Sequence, residues 1–340
     1  MSQIPPAPSP GEPPRQPALA LVFPGQGSQY VGMGARLFEE SPQAADVLGR
    51  ADQTLGFPLS RLILEGPPEE LDQTVNAQPA ILATSVAYLE AMCSVADEAG
   101  IALRPQRLAG HSAGQYAAAV AANAIDYADA LHLVRERGRL MQESGGEEGG
   151  MGAVVGLSDD QVNEVVTQAR AHGEISVANA NAPGQIVLSG VVPALVFALE
   201  LSKALGARRT VRLAVSVASH SMLMRRAQRE FAAILNRVPF REPAVPLLGN
   251  VHATVIRSAD GLRHELSEHL THGVQWSEAV RRMVASGITD FIEVGPGRVL
   301  TGLIKRIDPA ARARYVDGNP LDPRLWLPDA PSNRIEGAPA

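Results

Sequence analysis

The sequence predicts an α/β fold: a mainly parallel sheet covered by helices, with a small domain inserted into it. Short apolar runs alternate with segments of helical periodicity along most of the 340 residues. A glycine-rich stretch at 145–150 interrupts this alternation and is interpreted as a flexible boundary. Hydrophobic residues make up 45% of the chain, which suffices for a large core or for two unequal domains.

The predicted body contains three strands and seven helices. The strands run over 19–23, 107–109 and 290–294, and each is short and rich in apolar residues. Helical periodicity predicts helices over about 35–40, 77–98, 114–123, 127–143, 221–236, 261–270 and 277–286. We expect no apolar run long enough to span a bilayer and no signal peptide before the first strand.

The inserted domain is predicted over about 146–214. Its elements are a strand over 152–157, a helix over 158–171, strands over 175–178 and 185–189, a helix over 193–205 and a strand over 209–213. This βαββαβ order is typical of a ferredoxin-like unit. The body is then 18–145 and 215–316, and we expect the functional site in the cleft between the two domains.

The two ends and the overall charge narrow the function classes. Residues 1–17 hold seven prolines and predict a disordered leader, and 317–340 predict a loosely attached tail pinned by Leu325, Trp326 and Leu327. A net charge of −6 gives no electrostatic footprint for nucleic acid or an anionic membrane. Cys93, the single cysteine, excludes an intramolecular disulfide and is predicted to be a core thiol of a cytoplasmic protein.

The sequence Gly-His-Ser-Ala-Gly at 110–114 carries the strongest chemical signal. It follows a predicted strand and precedes a predicted helix, which is the layout of a nucleophile elbow with an exposed serine on a sharp turn. Small residues two positions before and after Ser112 let the strand and the helix approach closely. The first N–H groups of the helix point to where an oxyanion would form, so the motif favours a covalent acyl-enzyme on Ser112.

A serine nucleophile needs a base, and the eight histidines differ in their suitability. The side chain of His111 is expected to point away from its neighbour on the turn and to have a packing role. His220 lies at a predicted strand–helix junction where the chain re-enters the body, so it can face the same cleft as Ser112. Helical or surface positions without a partner signal are expected for His132, His172, His252, His264 and His272.

Seven short motifs occur in the order typical of one enzyme family. They are FPGQGSQ at 23–29, GHSAG at 110–114, RERG at 135–138, NANAPGQ at 179–185, SHS at 219–221, VQW at 274–276 and EVGPG at 293–297. In these motifs the chain resembles the malonyl-CoA:acyl carrier protein transacylases and the related acyltransferase domains of polyketide synthases. The resemblance runs from about Leu19 to Ile307 and implies an α/β-hydrolase-like body with a ferredoxin-like insert.

The resemblance also implies catalytic roles. Ser112 would be the nucleophile, and His220 would be its general base and then general acid. The oxyanion would be held by the backbone N–H groups of Gln26 and Ala113. Arg137 would hold the free carboxylate of a malonyl group with its planar fork of donors.

Further substrate-site positions follow from the same resemblance. In the family the imidazole is oriented by neutral groups, and Asn250 lies on the matching segment. His269 stands where many relatives carry Gln, and Gln115 stands where many carry Glu. Ala113, where Leu is frequent, would enlarge the acyl pocket, and Ser219 often accompanies methylmalonyl use in polyketide synthase domains. The choice between malonyl and methylmalonyl therefore stays open.

The implied function is transfer of malonyl from malonyl-CoA to the phosphopantetheine thiol of an acyl carrier protein, for fatty acid or polyketide synthesis. We expect a monomer that needs no metal or other cofactor and binds neither nucleic acid nor membrane. A basic patch for the acidic carrier is predicted at Arg208, Arg209 and Arg212, or at Arg225 and Arg226.

Three alternatives remain. They are an acyl-thioester hydrolase or esterase on the same fold, a non-catalytic carrier-docking subunit, and a patatin-like Ser–Asp lipase. The presence of Arg137 argues against the hydrolase, because proofreading hydrolases act on acyl groups without a carboxylate. The presence of both Ser112 and His220 argues against the docking subunit, and a role for His220 would argue against the lipase.

Overall fold

The computed structural model describes residues 18–145, 149–215 and 217–326. The strands are β1 (Leu19–Phe23), β2 (Arg107–Gly110), β3 (Gly149–Val155), β4 (Ile175–Ala182), β5 (Gln185–Val191), β6 (Arg209–Arg212), β7 (Leu247–Leu248), β8 (Val255–Ile256), β9 (Asp290–Glu293) and β10 (Arg312–Tyr315). The helices are α1 (Ala35–Glu40), α2 (Pro42–Leu55), α3 (Leu59–Glu65), α4 (Pro68–Leu71), α5 (Thr74–Glu98), α6 (Gly114–Ala121), α7 (Tyr127–Ser144), α8 (Asp159–Ala169), α9 (Val192–Ala204), α10 (Arg225–Leu235), α11 (Ala259–Glu268), α12 (Trp276–Ala285), α13 (Val299–Ile307) and α14 (Pro323–Trp326). The predicted leader, positions 146–148 of the glycine-rich stretch and the tail from 327 onward lie outside the described residues.

The larger sheet has six strands in the order β10-β9-β1-β2-β7-β8. All neighbours are parallel except β7 and β8, which form an antiparallel pair. Phe23 at the end of β1 is level with Gly110 at the end of β2, and Val22 is level with Glu293 of β9. The carboxyl ends of three neighbouring strands therefore meet at one edge, where ligands bind in parallel α/β sheets.

The central strands of the larger sheet are buried on both faces, which explains why they are rich in apolar residues. All five residues of β1 are buried. Leu21 and Phe23 belong to the core cluster that includes residues of α5, α6 and α7, whereas Ala20 and Val22 belong to the cluster that includes residues of α12 and α13. Because side chains alternate along a strand, one apolar run supplies both cores. The prediction of a mainly parallel, helix-covered sheet is confirmed.

One composition-based expectation is wrong. By length and hydropathy α5 could span a bilayer, contrary to the expectation that no run could do so. However, 89% of its most apolar 18-residue window is buried inside the protein. The helix is apolar on all sides because it packs between α2, α6 and α7, so its composition is that of a core helix.

The second sheet is antiparallel, with strand order β4-β5-β3-β6, and α8 and α9 pack against it. This is the predicted ferredoxin-like arrangement of a βαββαβ unit. The helix α8 begins with a capping box, in which Ser158 and Gln161 bond reciprocally to each other's backbone N–H. The domain limits 146–214 remain our proposal.

The start of the second sheet corrects the predicted flexible boundary. Gly149 and Gly150 belong to β3 and are buried, although they were expected to be part of a linker. A Cβ at Gly150 would be in contact with Leu195 of α9, and one at Gly152 would press on Leu199. These glycines therefore let a helix lie close to the strand, which is a packing role rather than a hinge.

Several elements have no counterpart in the prediction. These are α2, α3, α4, α13, α14, β7, β8 and β10. The helix α2 has clear end signals, since Ser41 caps its first turn and Gly56 ends it at a φ of 70°. The predicted helix over 221–236 instead begins at Arg225, because the residues before it form a short 3₁₀ turn at Met222–Met224.

The described part of the C-terminal segment is attached to the body, and Trp326 pins it there as the sequence predicted. The Asp317 carboxylate accepts hydrogen bonds from the hydroxyls of Tyr30 and Tyr88 and from the Gly297 N–H. The Trp326 side chain is fully buried in the main core, and its Nε1 donates to the carbonyl of Pro320 (3.0 Å). The side chains of Leu325 and Leu327 lie outside the description.

Candidate active site

The turn that carries Ser112 is strained and sterically crowded. Ser112 has a φ of 51°, in the left-handed region that residues with a Cβ rarely adopt. A Cβ at Gly110 would overlap the backbone of Gly114, and one at Gly114 would overlap the carbonyl of Phe23. Both motif glycines are therefore required by close backbone contact, and the predicted elbow geometry is present between β2 and α6.

Neighbouring segments hold this elbow in place. The His111 N–H donates to the carbonyl of Phe23 at the end of β1 (2.9 Å). The His111 ring lies 2.8 Å from Oδ1 of Asn181 on β4 through its Nε2, and its centroid is 5.6 Å from the ring of Trp276. His111 thus faces the second sheet instead of Ser112, in agreement with its expected packing role.

His220 is in hydrogen-bond contact with the candidate nucleophile. Its Nε2 is 2.9 Å from the Oγ of Ser112. Its Nδ1 is 2.7 Å from the carbonyl of His269 and 3.1 Å from the carbonyl of His272. Carbonyl oxygens only accept, so Nδ1 carries the proton and the Nε2 lone pair faces Ser112. The arrangement therefore prepares His220 as a base toward Ser112.

The backbone around His220 is shaped to present the ring in this direction. His220 has a φ of 60°, which is left-handed like that of Ser112. The Ser221 hydroxyl donates to the carbonyl of Ala218 (2.7 Å), and the Ser221 carbonyl accepts from the N–H of Met224 (3.0 Å). These bonds tighten the turn before α10. Ser219 is partly buried in the same turn, directly before the base.

The imidazole is neutral at physiological pH. Burial and, after it, the nearby positive charge of Arg137 together lower the pKa of His220 to about 3, against the opposing effect of the carbonyl acceptors. His220 is therefore unprotonated and able to accept a proton over the whole neutral range.

Asn250 has a different role from the one its position suggested. Its Oδ1 accepts from the Ser112 N–H (2.9 Å), and its Nδ2 donates to the carbonyl of Gly110 (2.9 Å) and to Oε1 of Gln115 (3.1 Å). Gln115 in turn accepts from the Gly110 N–H (2.9 Å). Asn250 therefore holds the elbow, and the neutral groups that orient the imidazole are backbone carbonyls.

Arg137 lies beside the same hydroxyl as a buried cation. Its Nη2 is 3.2 Å from the Oγ of Ser112, and its Nη1 donates to Oε1 of Gln78 (2.7 Å). The side chain is 1% exposed, and its Nε is a buried donor without a partner. No ion pair joins Arg137 to a carboxylate in the described part of the chain. Burial lowers the pKa of this guanidinium, which nevertheless stays charged.

Gln78 is a site residue that sequence reasoning missed. It lies on α5, is fully buried, and anchors one end of the guanidinium. The Nε–H and one Nη2–H of an arginine share an edge of the planar fork, so anchoring Nη1 leaves that edge for a ligand. A signal was present in the sequence, since a glutamine inside an apolar helix is uncommon without a partner.

Arg135 and Gly138 of the RERG motif fix α7 against α5. Pro79 has no N–H to bond the carbonyl of Val75, four residues earlier in α5. The Arg135 guanidinium donates to that carbonyl instead (3.1 Å). A Cβ at Gly138 would lie 2.7 Å from the carbonyl of Thr74, so only glycine lets the two helices approach this closely.

The predicted oxyanion donors lie on two loops that are in contact. Gln26 is in the turn after β1, and Ala113 directly follows Ser112. The loops touch, because a Cβ at Gly25 would overlap the carbonyl of His111. The contact of Gln26 with Thr74 is made by its side chain, since Nε2 of Gln26 donates to the Thr74 hydroxyl (3.2 Å). Within the described residues, neither the Gln26 N–H nor the Ala113 N–H takes part in a backbone hydrogen bond.

His269 contributes to the site through its backbone and lines it with its ring. The ring centroid is 5.3 Å from that of His220, and the side chain is fully buried. Burial, together with the neighbouring positive groups, places its pKa well below the ordinary histidine value. Neither ring nitrogen has a partner among the described residues. The His272 carbonyl was not predicted, because the sequence carries no signal for a backbone acceptor.

The two candidate basic patches both lie on exposed surface. Arg208, Arg209 and Arg212 are exposed around β6. Arg225 and Arg226 are exposed at the start of α10, close along the chain to His220, and Arg226 pairs with Glu230 (2.9 Å). Among the described residues, no cluster of three or more His, Cys, Asp or Glu side chains is suited to a metal ion.

Comparisons with known proteins agree on one family. The model of the acyl transferase domain matches residues 20–313. A malonyl CoA-acyl carrier protein transacylase from Bacillus subtilis is 41% identical over 292 residues, which are 85% of this chain and 90% of that protein. An acyl carrier protein S-malonyltransferase from Vibrio cholerae has a similar structure, with a TM-score of 0.83, 40% identity, and coverage of 88% of this chain and 96% of that chain. A malonyl-transacylase solved in complex with its type II polyketide synthase acyl-carrier protein gives a TM-score of 0.86 at 39% identity, covering 91% and 99%.

Proposed function

The chain belongs to the malonyl CoA-acyl carrier protein transacylases of the acyl transferase family, and we propose that Ser112 and His220 carry out its reaction. It is an acyltransferase that moves malonyl from malonyl-CoA to the phosphopantetheine thiol of an acyl carrier protein, for fatty acid or polyketide synthesis. The observation that carries the residue assignment is the buried, carboxylate-free guanidinium of Arg137, 3.2 Å from the Ser112 hydroxyl that His220 also contacts.

The first half-reaction forms the acyl-enzyme. Nε2 of His220 accepts the Ser112 proton while Oγ attacks the thioester carbon of malonyl-CoA. The N–H groups of Gln26 and Ala113 stabilise the oxyanion, since both are free of backbone partners and their loops touch. The carbon–sulfur bond then breaks, the CoA thiolate takes the proton from His220, and CoA leaves as a thiol.

The second half-reaction reverses these roles with a different thiol. The phosphopantetheine thiol of the carrier gives its proton to Nε2 of His220 and attacks the malonyl ester carbon. The carbon–Oγ bond breaks, and His220 returns the proton to Ser112. The two carbonyls on Nδ1 keep the ring in one tautomer throughout, so the same nitrogen exchanges protons in both halves.

Arg137 explains why the acyl group carries a carboxylate. A charge that is buried without a counterion is unfavourable, so a ligand that supplies the counterion gains affinity. The open Nε and Nη2 edge suits a bidentate carboxylate. Malonyl and methylmalonyl both satisfy this requirement, and a neutral acetyl group does not. Ala113 and Ser219 leave the methyl-substituted substrate as a second candidate.

We extend the proposal to the protein's working state. It acts as a cytoplasmic monomer without a metal or other cofactor, and binds neither nucleic acid nor membrane. Its basic surface at β6 or at the start of α10 docks the carrier, and a positive patch on a chain of net charge −6 would be a local feature. A hydrolase would use the same nucleophile with water, and its product would be free malonate.

Intact-protein mass tests the assignment directly. Wild-type protein exposed briefly to malonyl-CoA should gain one malonyl group, and Ser112→Ala should gain none. His220→Ala should acylate far more slowly. Added holo carrier should remove the adduct and become malonylated. Steady CoA release into water with no transfer to the carrier would favour the hydrolase, and full activity of His220→Ala would favour a Ser–Asp lipase mechanism.

A further inference from the structure

A closed ring of hydrogen bonds passes through Ser112 and His220 and returns through a buried carboxylate. The Ser112 N–H donates to Oδ1 of Asn250 (2.9 Å), and the Asn250 N–H donates to the Glu265 side chain. The backbone carbonyl of Glu265 accepts from the His269 N–H (3.0 Å), and the His269 carbonyl accepts from Nδ1 of His220 (2.7 Å). The contact between His220 Nε2 and Ser112 Oγ closes the ring at 2.9 Å.

Burying the carboxylate of Glu265 at this position costs free energy. The side chain is 6% exposed, and burial raises its pKa. One oxygen, Oε1, accepts the N–H groups of both Asn250 and Val251, the latter at 3.0 Å. The other oxygen lies against the backbone, because a Cβ at Gly249 would be 2.7 Å from Oε2. The carboxylate therefore fixes the backbone of the loop 249–251.

That loop controls the elbow through a single side chain. Asn250 uses both ends of its amide on the backbone of Ser112 and Gly110, so its position sets where the elbow sits. On the opposite side, His269 follows directly after α11, one helical turn beyond Glu265. The C-terminal end of α11 therefore supports both groups. Glu265 fixes the loop that holds the nucleophile, and His269 provides a carbonyl that orients the base.

We propose that Glu265 is a positioning residue that sets the distance and direction between Ser112 Oγ and His220 Nε2. This inference rests on the proposed function of those two residues. Proton transfer requires the two atoms to stay within about 2.6–3.2 Å of each other. A displacement of about 1 Å in such a pair costs about 100-fold in rate.

The chain offers a matched control in Glu293. This carboxylate is also fully buried and also accepts two backbone N–H groups, from Leu300 (3.0 Å) and Thr301 (2.7 Å). Burial raises its pKa as it does that of Glu265. It ties β9 to α13 and is not part of the ring, so its loss removes a comparable structural contact without moving the pair.

The experiment measures acylation and folding side by side. The rate of acylation is measured by rapid mixing with malonyl-CoA, quenching and intact-protein mass spectrometry, and the free energy of unfolding is measured in urea. The variants are Glu265→Ala, Glu265→Gln and Glu293→Ala. We expect Glu265→Ala to acylate about 100-fold more slowly at saturation. Its half-saturating malonyl-CoA concentration should stay close to wild type, because the Arg137 contacts are intact. Glu265→Gln should recover most of the rate, because its amide oxygen accepts the same two N–H groups.

The control separates positioning from simple loss of stability. Glu293→Ala should lose stability comparably and still acylate within a few-fold of wild type. Equal slowing in Glu265→Ala and Glu293→Ala would overturn the proposal, and so would a Glu265→Ala defect confined to the half-saturating concentration. If Glu265→Ala does not fold, Glu265→Asp keeps the charge one methylene short of the loop and should slow acylation, and a wild-type rate there would overturn it.

Failure of the underlying function has its own signature. An adduct that persists in Ser112→Ala would contradict the nucleophile assignment, whatever Glu265 does. An adduct that depends on Ser112 and forms at the wild-type rate in Glu265→Ala would contradict only the positioning role.

Discussion

Replacing Arg137 by alanine should change which acyl group the enzyme accepts. The guanidinium presents Nε and Nη2 on one edge, where Nε has no partner and Nη2 contacts the Ser112 hydroxyl, while Nη1 is held by Gln78. Each charge-assisted hydrogen bond to a substrate carboxylate contributes about 1.5–3 kcal/mol, so two contribute about 3–6 kcal/mol. At about 1.4 kcal/mol for each factor of ten, kcat/KM for malonyl-CoA should fall about 10²- to 10⁴-fold.

The same substitution should help a neutral substrate. In the wild type, an acetyl group would shield the buried guanidinium from water without supplying a counterion, which carries a free-energy cost. Arg137→Ala removes that cost, so acetyl-CoA should form an adduct more readily than with wild type. The assay compares kcat/KM for malonyl-CoA and acetyl-CoA by intact mass of the acyl-enzyme, and the decisive quantity is their ratio.

Two further variants make the result specific. Arg139→Ala removes the same charge from the same helix, but the Arg139 side chain is partly exposed and pairs with Glu136 and Glu143 (both 2.7 Å). It should leave the substrate ratio unchanged. Arg137→Lys keeps the charge without the fork and should restore only part of the selectivity. A fall in malonyl-CoA and acetyl-CoA rates by the same factor in Arg137→Ala would refute the reasoning.

Three other outcomes are expected. The kcat/KM for acylation should stay level as the pH falls through about 6.5, the ordinary histidine pKa, because the pKa of His220 is lowered to about 3. A loss of activity with a midpoint near pH 6.5 in a pH–rate profile would contradict this. In Arg137→Ala, which lacks the repelling charge, the acid limb should shift to higher pH. Trp326→Ala should lower the free energy of unfolding in urea by about 3–5 kcal/mol, because the side chain is fully buried, and an unchanged value would mean that the C-terminal segment does not support the core. Charge reversal of Arg212 or Arg225 should raise the KM for the carrier and not for malonyl-CoA, whereas equal effects on both would exclude that patch.

The elbow was predictable because its chemistry is local. The strand, the serine and the helix are adjacent in sequence, and the strain at Ser112 follows from the two glycines that bracket it. The second sheet was predictable for the same reason, since its six elements follow one another with short connections. In both regions each local pattern agrees with the tertiary arrangement, so short-range reasoning succeeded.

The orientation of the base was not predictable in this way. The groups on Nδ1 of His220 are the carbonyls of His269 and His272, and every residue has a carbonyl. The sequence directed attention to Asn250, a residue with a distinctive side chain, which instead holds the elbow. Similarly, β7 is only two residues long, too short to produce a periodic pattern, although it carries the chain toward Asn250.

The use of carbonyls on His220 is connected to the charge of Arg137. In many serine enzymes a carboxylate holds the imidazole and stabilises its protonated form. The positive charge of Arg137 lowers the pKa of the buried His220 ring, so the two side chains interact electrostatically. A carboxylate beside the ring would therefore also interact with Arg137 and compete with the substrate for the guanidinium. Carbonyl acceptors fix the tautomer without adding a negative charge, so the cation stays available. The carboxylate that the site does hold, Glu265, is directed instead at the backbone N–H groups of Asn250 and Val251. The charge pattern therefore reserves Arg137 for the carboxylate of the acyl group, at the cost of a base that is less easily protonated.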